Sequence, residues 1–548
     1  MLFSYWLNFG GNPFLFWSIG HLFIGTFTCW LLLRNRPIND FLFFVAVFLF
    51  SGIMRLPVFL YNLPLNLDES QMLAQGITLA FDPLFYRSVD PTTSGPINSY
   101  LLTLLYSFGF RLDFHLAHIL SWLLSVLPVF YLYKTLKILI SKHIAQLATL
   151  PVIVFFSFIQ NADLVHYYSE GIAILFLCIC TYLLARWTVK QTISLSKLIV
   201  FGVFNSLIVL CKIQALPLAF VLGVWSLVLI YFFQKANWVK YVSAVSGAIL
   251  LVWGGWLCYM QANGLLNDFI LYYIKANAQL KIHFSEKSSF FHDFIRFPAT
   301  VRKIGMEFNY YIYPFIGLGL VFFIKTFSKQ AFVKMLKQDH FFWLMVLGYF
   351  FAVVAVVVRT GSYYTHHFLF FILPMCLFTG RFLHQIGYQA RWKWLLLLTQ
   401  LIFILNGIKY IRNGAPINNY PTDYSKQNEI SAVGKAILKY ANPKDYLVVW
   451  GWSCEYHVET QMPQGVNENH SVRTAMKHPL QEVYYQRYLH DIQHSKPKVF
   501  VDAVTARTFW MNDPKLYGHQ NYPELAKFIA DHYTLKQEIN GVKIYVSH

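Results

Sequence analysis

Long apolar runs recur along the first 410 residues of this chain, with short polar segments between them. An α-helix rises about 1.5 Å per residue, so about 20 apolar residues are enough to cross the hydrocarbon core of a bilayer. The sequence therefore predicts a polytopic α-helical membrane protein. The twelve predicted spans lie at about 14–33, 41–60, 114–133, 144–160, 170–187, 197–211, 216–233, 241–259, 308–324, 341–358, 367–383 and 395–410.

The composition excludes an ordinary soluble protein. Hydrophobic residues make up 56% of the chain and charged residues only 13%, whereas soluble proteins carry about 25% charged residues. The net charge of +18 does not indicate nucleic-acid binding, because many basic residues lie in short loops between apolar runs. Most of the seven cysteines lie in or beside apolar runs and predict no disulfide framework. The first residues lack the basic segment of a cleavable signal peptide.

The loops divide into two alternating sets. Every loop of one set is basic, which places that set in the cytoplasm under the positive-inside rule. Its basic residues are Arg34, Arg36, Lys134, Lys137, Lys142, Arg186, Lys190, Lys197, Lys235, Lys240, Lys325, Lys329, Lys334, Lys337, Arg381, Arg391 and Lys393. The opposite set is poorer in Lys and Arg except for the long loop 260–307, whose length weakens its topology signal. Twelve spans then leave both termini outside the cytoplasm.

The tail of the chain differs in character from the rest. It is polar and rich in Asn and His, and it shows patterns typical of soluble strands and helices. The predicted strands and helices lie at Tyr446–Trp450, Val499–Val501, Val542–Val546, Gln427–Tyr440 and Pro523–His532. We therefore predict a transmembrane catalytic domain at 1–410, with a first outer loop at 61–113, and a small non-cytoplasmic α/β domain at 411–548.

The acidic pair Asp68-Glu69 lies in the first outer loop, after Pro64 ends the preceding helix. Paired carboxylates at a membrane surface suit proton abstraction from a hydroxyl group or coordination of a divalent ion. We predict that Asp68 caps a short helix that runs through Gln71 to Leu79. A purely structural role, with Asp68 as a helix cap, is the alternative. A second short amphipathic segment, Ile97–Phe108, is predicted to lie in the membrane interface.

Three ionisable residues precede the predicted span at 170–187. Asp163, His166 and Glu170 recur at three and four residues, so a helix would place them on one face. Charge at the mouth of a spanning helix is costly unless it faces a wet cavity, which makes these residues candidates for function. The alternative is an interfacial cap in which a neighbour satisfies His166.

Two cations stand at outer helix ends, where the short loops otherwise avoid basic residues. Lys212 lies in a very short turn together with Gln214, and Arg359 lies near the outer end of another span. An ammonium or a guanidinium at such a place suits a phosphate. The alternative is that both side chains extend to the interface to keep their charge in water.

Tyr364, His366 and His367 follow Arg359 closely. Neighbouring residues of a helix diverge by about 100°, and no Cys or carboxylate spacing completes a zinc site. We therefore predict phosphate or sugar contact for these side chains, with a packing role as the alternative. The sequence has no Walker loop, dinucleotide fingerprint or HExxH pattern, so nothing points to ATP, NAD or a proteolytic metal.

These segments, in this order, resemble the GT-C superfamily of membrane glycosyltransferases, in the branch of protein O-mannosyltransferases and bacterial aminoarabinose transferases. The resemblance rests on Asp68-Glu69, on Ser94-Gly95-Pro96 with Tyr100, on the Lys-x-Gln-x-x-Pro stretch from Lys212 to Pro217, on Tyr364 to Phe368, and on Tyr446 to Trp452. The chain departs from the aminoarabinose transferases in an extra predicted N-terminal span and in lacking their Lys-Pro-Pro.

The resemblance implies that the chain transfers a hexosyl or pentosyl group from a polyprenyl-phosphate donor in the cell envelope. The acceptor would be a lipid-linked glycan, a lipopolysaccharide or a protein, and no nucleic acid is implied. Asp68, beside Glu69, would take the proton of the acceptor hydroxyl, with Glu170 as the next candidate. Lys212 and Arg359 would bind the donor phosphate. The residues expected at the substrates are Asp163, His166, Gln214, Tyr364, His366 and His367.

No cofactor is implied with certainty, although the carboxylates leave a divalent cation open and no metal ligands are assigned. The predicted place of action is the outer face of a multi-pass cell membrane, in bacteria the periplasmic face of the inner membrane. A lipid-linked glycan polymerase is a rival enzyme. A transporter or flippase is the rival from another class, but such proteins usually show repeats and broken helices in two halves, which this sequence lacks.

Overall fold

The structure is a computed structural model of the chain. It describes residues 13–34, 36–60, 62–90, 93–279, 290–326, 329–360, 364–387, 391–413 and 430–548.

All twelve predicted spans are helical. Their helices are α1 (Pro13–Leu33), α2 (Asp40–Phe59), α5 (Phe114–Leu139), α6 (Lys142–Phe158), α7 (Glu170–Lys190), α8 (Leu195–Cys211), α9 (Leu216–Phe233), α10 (Trp238–Ala262), α14 (Asn309–Thr326), α15 (Lys329–Thr360), α16 (Ile372–Ile386) and α17 (Leu396–Arg412). Within the described ranges, nine helical segments are long and apolar enough to cross a membrane, while α6, α8 and α17 are 17 residues long. The helices share one continuous hydrophobic core.

The first outer loop contains two further helices, α3 (Leu67–Phe81) and α4 (Pro96–Ser107), which pack against each other. The prediction that Asp68 caps α3 is wrong. Asn66 is the cap, and its side chain accepts a hydrogen bond from the Asp68 backbone N–H at 3.0 Å. Asp68 lies instead in the first turn, where the helix dipole favours a negative charge. The carboxylate of Asp68 is therefore not used for capping.

The long loop 260–307 is also partly helical. Its described part contains α11 (Leu266–Asp268), a π-helix at Phe269–Lys275, α12 (Ala276–Gln279) and α13 (Phe290–Ile304). The basic residues Lys281 and Lys287 of this loop lie outside the described residues. A 3₁₀-helix at Thr365–Phe371 leads into α16 and carries the two adjacent histidines.

The C-terminal region, 430–548, is built around a four-stranded sheet in the order β1-β2-β4-β3. Strands β1 (Leu447–Trp450) and β2 (Val499–Asp502) are parallel and confirm two predicted strands, and β4 (Val542–Ser547) confirms the third. Strand β3 (Tyr533–Ile539) pairs with β4 in antiparallel fashion and was not predicted. Its middle residues are mostly exposed and polar, so it lacks a clear apolar pattern.

Short helices cover this sheet. They are α18 (Ala432–Ile437), α19 (Glu455–Thr460), α20 (Val472–Ala475), α21 (Gln481–Ser495), α22 (Pro514–Tyr517) and α23 (Pro523–His532). Helix α23 matches its predicted bounds, and Pro523 stands in its first turn, where a missing N–H costs nothing. Helix α18 is shorter than the predicted Gln427–Tyr440, whose first residues, 427–429, lie outside the described residues.

The C-terminal region packs directly on the first outer loop. Helix α19 lies against α3. Gln464 N–H donates to the Thr78 hydroxyl at 3.0 Å, and the Asn469 amide donates to the Gln71 carbonyl at 3.1 Å. Arg473 lies 3.6 Å from the Asp90 carboxylate, and both side chains are buried. These contacts fix the C-terminal region above the turn of α3 that carries Asp68.

Candidate active site

The two members of the acidic pair have opposite surroundings. Glu69 is fully buried, and its carboxylate accepts hydrogen bonds from the Tyr167 and Leu65 backbone N–H groups at 2.9 and 3.2 Å. His118 Nε2 lies 3.1 Å from the same carboxylate. Burial alone would raise the pKa of Glu69, but His118 and these donors hold it below its usual value. Glu69 therefore serves as a fixed anchor for the loops around it.

Asp68 is only half-buried, and its carboxylate makes no hydrogen bond to any residue that the structure describes. It is one residue from the fixed Glu69 and begins a helix whose cap is also fixed, so its backbone position is well determined. A carboxylate held in place but without a protein partner is free to accept a proton from a bound hydroxyl group. Of the predicted catalytic residues, Asp68 is the one whose carboxylate is neither fully buried nor paired within the described residues, whereas Glu69 and Glu170 are buried and paired.

Asn66 links Asp68 to a second acidic residue. Besides capping α3, its amide donates to Asp163 Oδ1 at 3.0 Å. The same Asp163 oxygen lies 3.0 Å from His366 Nδ1, and the His366 backbone N–H donates to Asp163 Oδ2 at 3.2 Å. Burial alone would raise the pKa of Asp163, but the contact with His366 dominates and lowers it. Asp163 is thus an ionised residue that joins the first outer loop to the histidine segment.

Asp163, His166 and Glu170 do not share a helix face, so that part of the prediction is wrong. Ala162–Leu164 form a 3₁₀ turn, and α7 begins only at Glu170. The residues nevertheless come together, because His366 lies between Asp163 and Glu170. His166 is buried, with its ring centre 5.9 Å from that of His366. These residues are therefore brought together by tertiary packing and not by a shared helix face.

Lys212 is buried and does not extend to the interface. Its ammonium lies 2.8 Å from Glu170 Oε1 and donates to the hydroxyls of Ser169 and Thr93 at 2.7 and 3.2 Å. The turn that carries Lys212 forms a β-bridge with Ser94. A buried ion pair of this kind is stable only if both charges find partners, as they do here.

The two adjacent histidines converge on the same carboxylate. His366 Nε2 and His367 Nε2 lie 3.7 and 3.4 Å from Glu170 Oε1. The prediction that no carboxylate completes a site with these histidines is wrong, because Glu170, His366 and His367 could hold a metal ion by spacing alone. Lys212 already occupies the Glu170 oxygen that such an ion would need. We name Asp163, Glu170, Lys212, His366 and His367 the buried charge network.

The remaining predicted residues lie around this network. The Tyr364 ring stacks on His366 at 5.5 Å and meets His367 edge-on at 5.6 Å. Gln214 is half-buried, and its side-chain oxygen has no hydrogen-bond partner among the described residues. Arg359 is exposed in the last turn of α15, the helix that precedes Tyr364, and no described residue pairs with it. The structure therefore does not bring Arg359 into the network.

Sequence reasoning missed three residues that shape the site: His118, Asn66 and Ser169. His118 lies one turn inside the apolar helix α5. A histidine at the mouth of a span is a candidate for function, so the sequence alone could have identified it. Asn66 stands two residues before Asp68, and either residue type caps helices well, so the sequence alone could not choose between them. Ser169 gave no signal, because its role depends on the fold around Lys212.

An apolar cavity of about 420 Å³ opens beside the Lys212 turn. It is lined by α4, α8 and α10, with Ile97, Tyr100, Leu210 and Trp256 among its walls. Leu210 is two residues before Lys212, and Ile97 follows the Ser94 bridge closely. Residues that line the cavity thus lie within two or three residues of Lys212 and of its bridge partner Ser94.

No protein-family model matches the sequence, and no curated protein matches it. The chain is similar to the crystal structure of ArnT from Cupriavidus metallidurans bound to undecaprenyl phosphate, at 12% identity and a TM-score of 0.55, with 92% of this chain and 97% of that chain covered. The apo structure of the same ArnT matches at 11% identity and a TM-score of 0.52, with 92% and 96% covered.

A likeness that spans nearly both chains establishes a shared architecture. The chain has the GT-C fold, that of a multi-pass membrane protein with a small C-terminal sheet region. This confirms the predicted fold class.

Proposed function

We propose that this chain is a glycosyltransferase that moves a sugar from a polyprenyl-phosphate donor to an acceptor hydroxyl. The observation that carries the proposal is the carboxylate of Asp68, which no described residue pairs with and which Asn66 links to Asp163 of the buried charge network. An apolar cavity also opens beside the turn that carries Lys212. A lipid-linked donor needs these three elements: an apolar groove for the lipid, cations for the phosphate and a base for the acceptor.

The proposed reaction is a single displacement at the anomeric carbon. Asp68 accepts the proton of the acceptor hydroxyl while the oxygen of that hydroxyl forms the new glycosidic bond to the anomeric carbon. The bond from the anomeric carbon to the phosphate oxygen breaks, and polyprenyl phosphate leaves with the bonding electron pair. One base is sufficient, because a lipid phosphate is already an adequate leaving group.

Charge develops on the phosphate as it leaves, and fixed cations stabilise this charge best when they are oriented in advance. Lys212 meets that condition, because Glu170, Ser169 and Thr93 hold its ammonium in place. Its protein partners also mean that a phosphate would share Lys212 with Glu170. Arg359 is exposed in the last turn of α15 and unpaired among the described residues. It would add a bidentate contact to the donor phosphate.

The fold of ArnT supports the proposal, because the similar structure contains undecaprenyl phosphate, a polyprenyl phosphate. A transporter or flippase usually shows repeats and broken helices in two halves, which the sequence lacks. We place the site and the C-terminal region on the non-cytoplasmic face, in bacteria the periplasmic face of the inner membrane.

A genetic experiment tests the activity. Deletion of the gene should remove one sugar from a single envelope glycan, and the wild-type chain should restore it, whereas Asp68→Asn should not. The measurement is mass spectrometry of the extracted lipid-linked and cell-surface glycans. If every glycan keeps its mass in the deletion strain, or if Asp68→Asn restores the missing sugar, the proposal is wrong.

A fusion experiment tests the topology. A reporter that is active only in the cytoplasm, fused after His548, should stay inactive, because twelve spans place that end outside. The same reporter fused within the basic loop that follows Lys137 should be active. Activity of the C-terminal fusion would contradict the proposed side.

A further inference from the structure

Three aromatic rings gather on the C-terminal region beside α19, the helix that packs against α3. Trp452 follows β1, and Phe509 and Trp510 lie in the loop after β2. The ring centre of Trp452 lies 5.6 Å from that of Phe509 and 5.2 Å from that of Trp510, at interplanar angles of 72° and 73°. Phe509 and Trp510 stack on each other at 5.1 Å. We name these three side chains the aromatic platform.

The platform is neither a core nor an ordinary surface. Phe509 is 50% exposed, and Trp452 and Trp510 are half-buried. Trp452 Nε1 is shielded from solvent and has no hydrogen-bond partner in the part of the chain that the structure describes. Phe509 is therefore the ring of the platform that a ligand reaches first, with the exposed parts of Trp452 and Trp510 beside it.

The backbone of the loop is strained where it presents these rings. Met511 N–H donates to the Phe509 carbonyl at 2.7 Å across Trp510, whose φ is +59°. Such a three-residue turn with a left-handed central residue is rare and costly for an L-amino acid. The Thr508 hydroxyl donates to the Ala503 carbonyl at 2.6 Å and fixes the loop. The fold thus maintains a strained conformation that leaves Phe509 half-exposed.

The platform lies close to Asp68. The Asn469 amide donates to the carbonyl of Gln71, which is three residues after Asp68 on α3. His470 follows Asn469, and its ring lies 5.1 Å from Trp452. The charges of Glu455 and Asp68 add to burial, the larger cause, in raising the pKa of the Cys454 thiol, two residues after Trp452. A molecule on the platform would therefore reach towards the Asp68 carboxylate.

The chemistry of the platform selects among occupants. The C–H face of a sugar ring stacks on an aromatic ring, and its hydroxyl groups hydrogen-bond to exposed polar side chains. Arg507 and Asn512 are exposed polar neighbours of the platform, and they suit a sugar better than a lipid tail. A sugar residue suits both the rings and these polar side chains.

We propose that the aromatic platform binds a sugar residue of a glycan acceptor, stacked on Phe509 and on the exposed parts of the Trp452 and Trp510 rings, so that an acceptor hydroxyl reaches Asp68. This inference rests on the proposed transferase function and narrows its acceptor to a glycan, in preference to a protein or a bare lipid.

The test uses the full chain in detergent on an array of immobilised oligosaccharides that contain hexoses, heptoses and hexosamines, with immobilised peptides on the same array. The wild-type chain should bind a subset of the oligosaccharides. Phe509→Leu and Trp452→Leu, which each remove a ring of the platform, should each weaken that binding about tenfold or more. Tyr446→Leu, which removes an aromatic ring of similar exposure away from the platform, should not. Unfolding temperatures of all four proteins check that the variants are folded.

The outcomes separate the platform from the transferase. Binding only to peptides, binding to no oligosaccharide, or oligosaccharide binding that survives both Phe509→Leu and Trp452→Leu would overturn the platform. Release of polyprenyl phosphate from lipid-linked sugars by the wild-type chain is measured in parallel. Release without oligosaccharide binding would contradict the platform and keep the transferase, whereas platform-dependent binding without release would contradict the transferase alone.

Discussion

The buried charge network lies next to Asp68, and Asn66 joins the two. We call Asp68 and the aromatic platform the rim. The network and the rim are built in opposite ways. In the network, each charge has a fixed protein partner, as Lys212 has Glu170 and Asp163 has His366. At the rim, Asp68 has no partner among the described residues, and the ring of Phe509 is half-exposed. The comparison teaches that the groups of the network hold one another in position, Lys212 included, whereas the carboxylate of Asp68 is held in place but left unpaired within the described residues.

The acidic pair gives the sharpest test of this contrast. Asp68→Asn should lower the rate of sugar transfer by about 10²- to 10⁴-fold, because Asn keeps the shape but cannot accept the proton. The unfolding temperature should stay near that of the wild type, since Asn66 and not Asp68 caps α3. Transfer rate and unfolding temperature of the purified proteins are the measurements.

The matched variant is Glu69→Gln. It should lower the unfolding temperature, because Glu69 is buried and accepts hydrogen bonds from two backbone groups. If Asp68→Asn destabilises the protein and Glu69→Gln does not, the roles assigned to the pair are reversed.

Breaking the network at Lys212 should be costly to stability. Lys212→Met leaves Glu170 buried without its ammonium partner, and such uncompensated charges cost about 3–5 kcal/mol. The double variant Lys212→Met with Glu170→Gln should recover much of that loss, because no buried charge is left unpaired between the two positions. Denaturant or thermal unfolding in one detergent measures the effect. Equal stability of the single and double variants would show that the pair is not coupled.

Arg359 gives the next test, because it is a cation that lies outside the buried charge network. Because Arg359 is exposed, Arg359→Ala should leave stability unchanged. It should weaken the use of donor by about ten- to a hundredfold, the value of one charge-assisted contact to a phosphate. Arg359→Lys should rescue this only in part, because Lys cannot form a bidentate contact. Donor titration at saturating acceptor is the measurement, and an unchanged donor dependence of Arg359→Ala would place the phosphate elsewhere.

Glu455, on the C-terminal side of the rim, should give the smallest effect. Burial raises its pKa to about 7, helped by the charge of Glu459. The folded state therefore favours the neutral acid, and its stability should fall as the pH rises from about 4.5 through 7. Glu455→Gln should remove this pH-dependent loss of stability. The loss should amount to about 1–2 kcal/mol, because the partly exposed side chain is screened by solvent. Unfolding temperatures from pH 4.5 to 8 test it, and equal slopes for both proteins would contradict it.

The parts of the fold that depend on local properties could be predicted from the sequence. Helix α2 is long and mostly apolar, and α23 is marked by Pro523 at its first turn. Strand β3 escaped because its middle residues are polar and exposed, so that its pairing with β4 defines it.

The site was predicted only in part for a related reason. Asp68 and Lys212 carry charge at unusual places, which a sequence reveals. The partner of a buried charge is chosen by packing between distant segments, and no local pattern records that His118 meets Glu69 or that His367 meets Glu170.

The central claim is that this chain consumes a lipid-linked sugar with Asp68 as the base. The most direct measurement incubates the purified protein in liposomes with a panel of polyprenyl-phosphate sugars and an extract of envelope glycans, and follows free polyprenyl phosphate by mass spectrometry. We predict release from at least one donor by the wild-type chain and from none by Asp68→Asn. No release by the wild-type chain from any donor, or equal release by both proteins, would contradict the account.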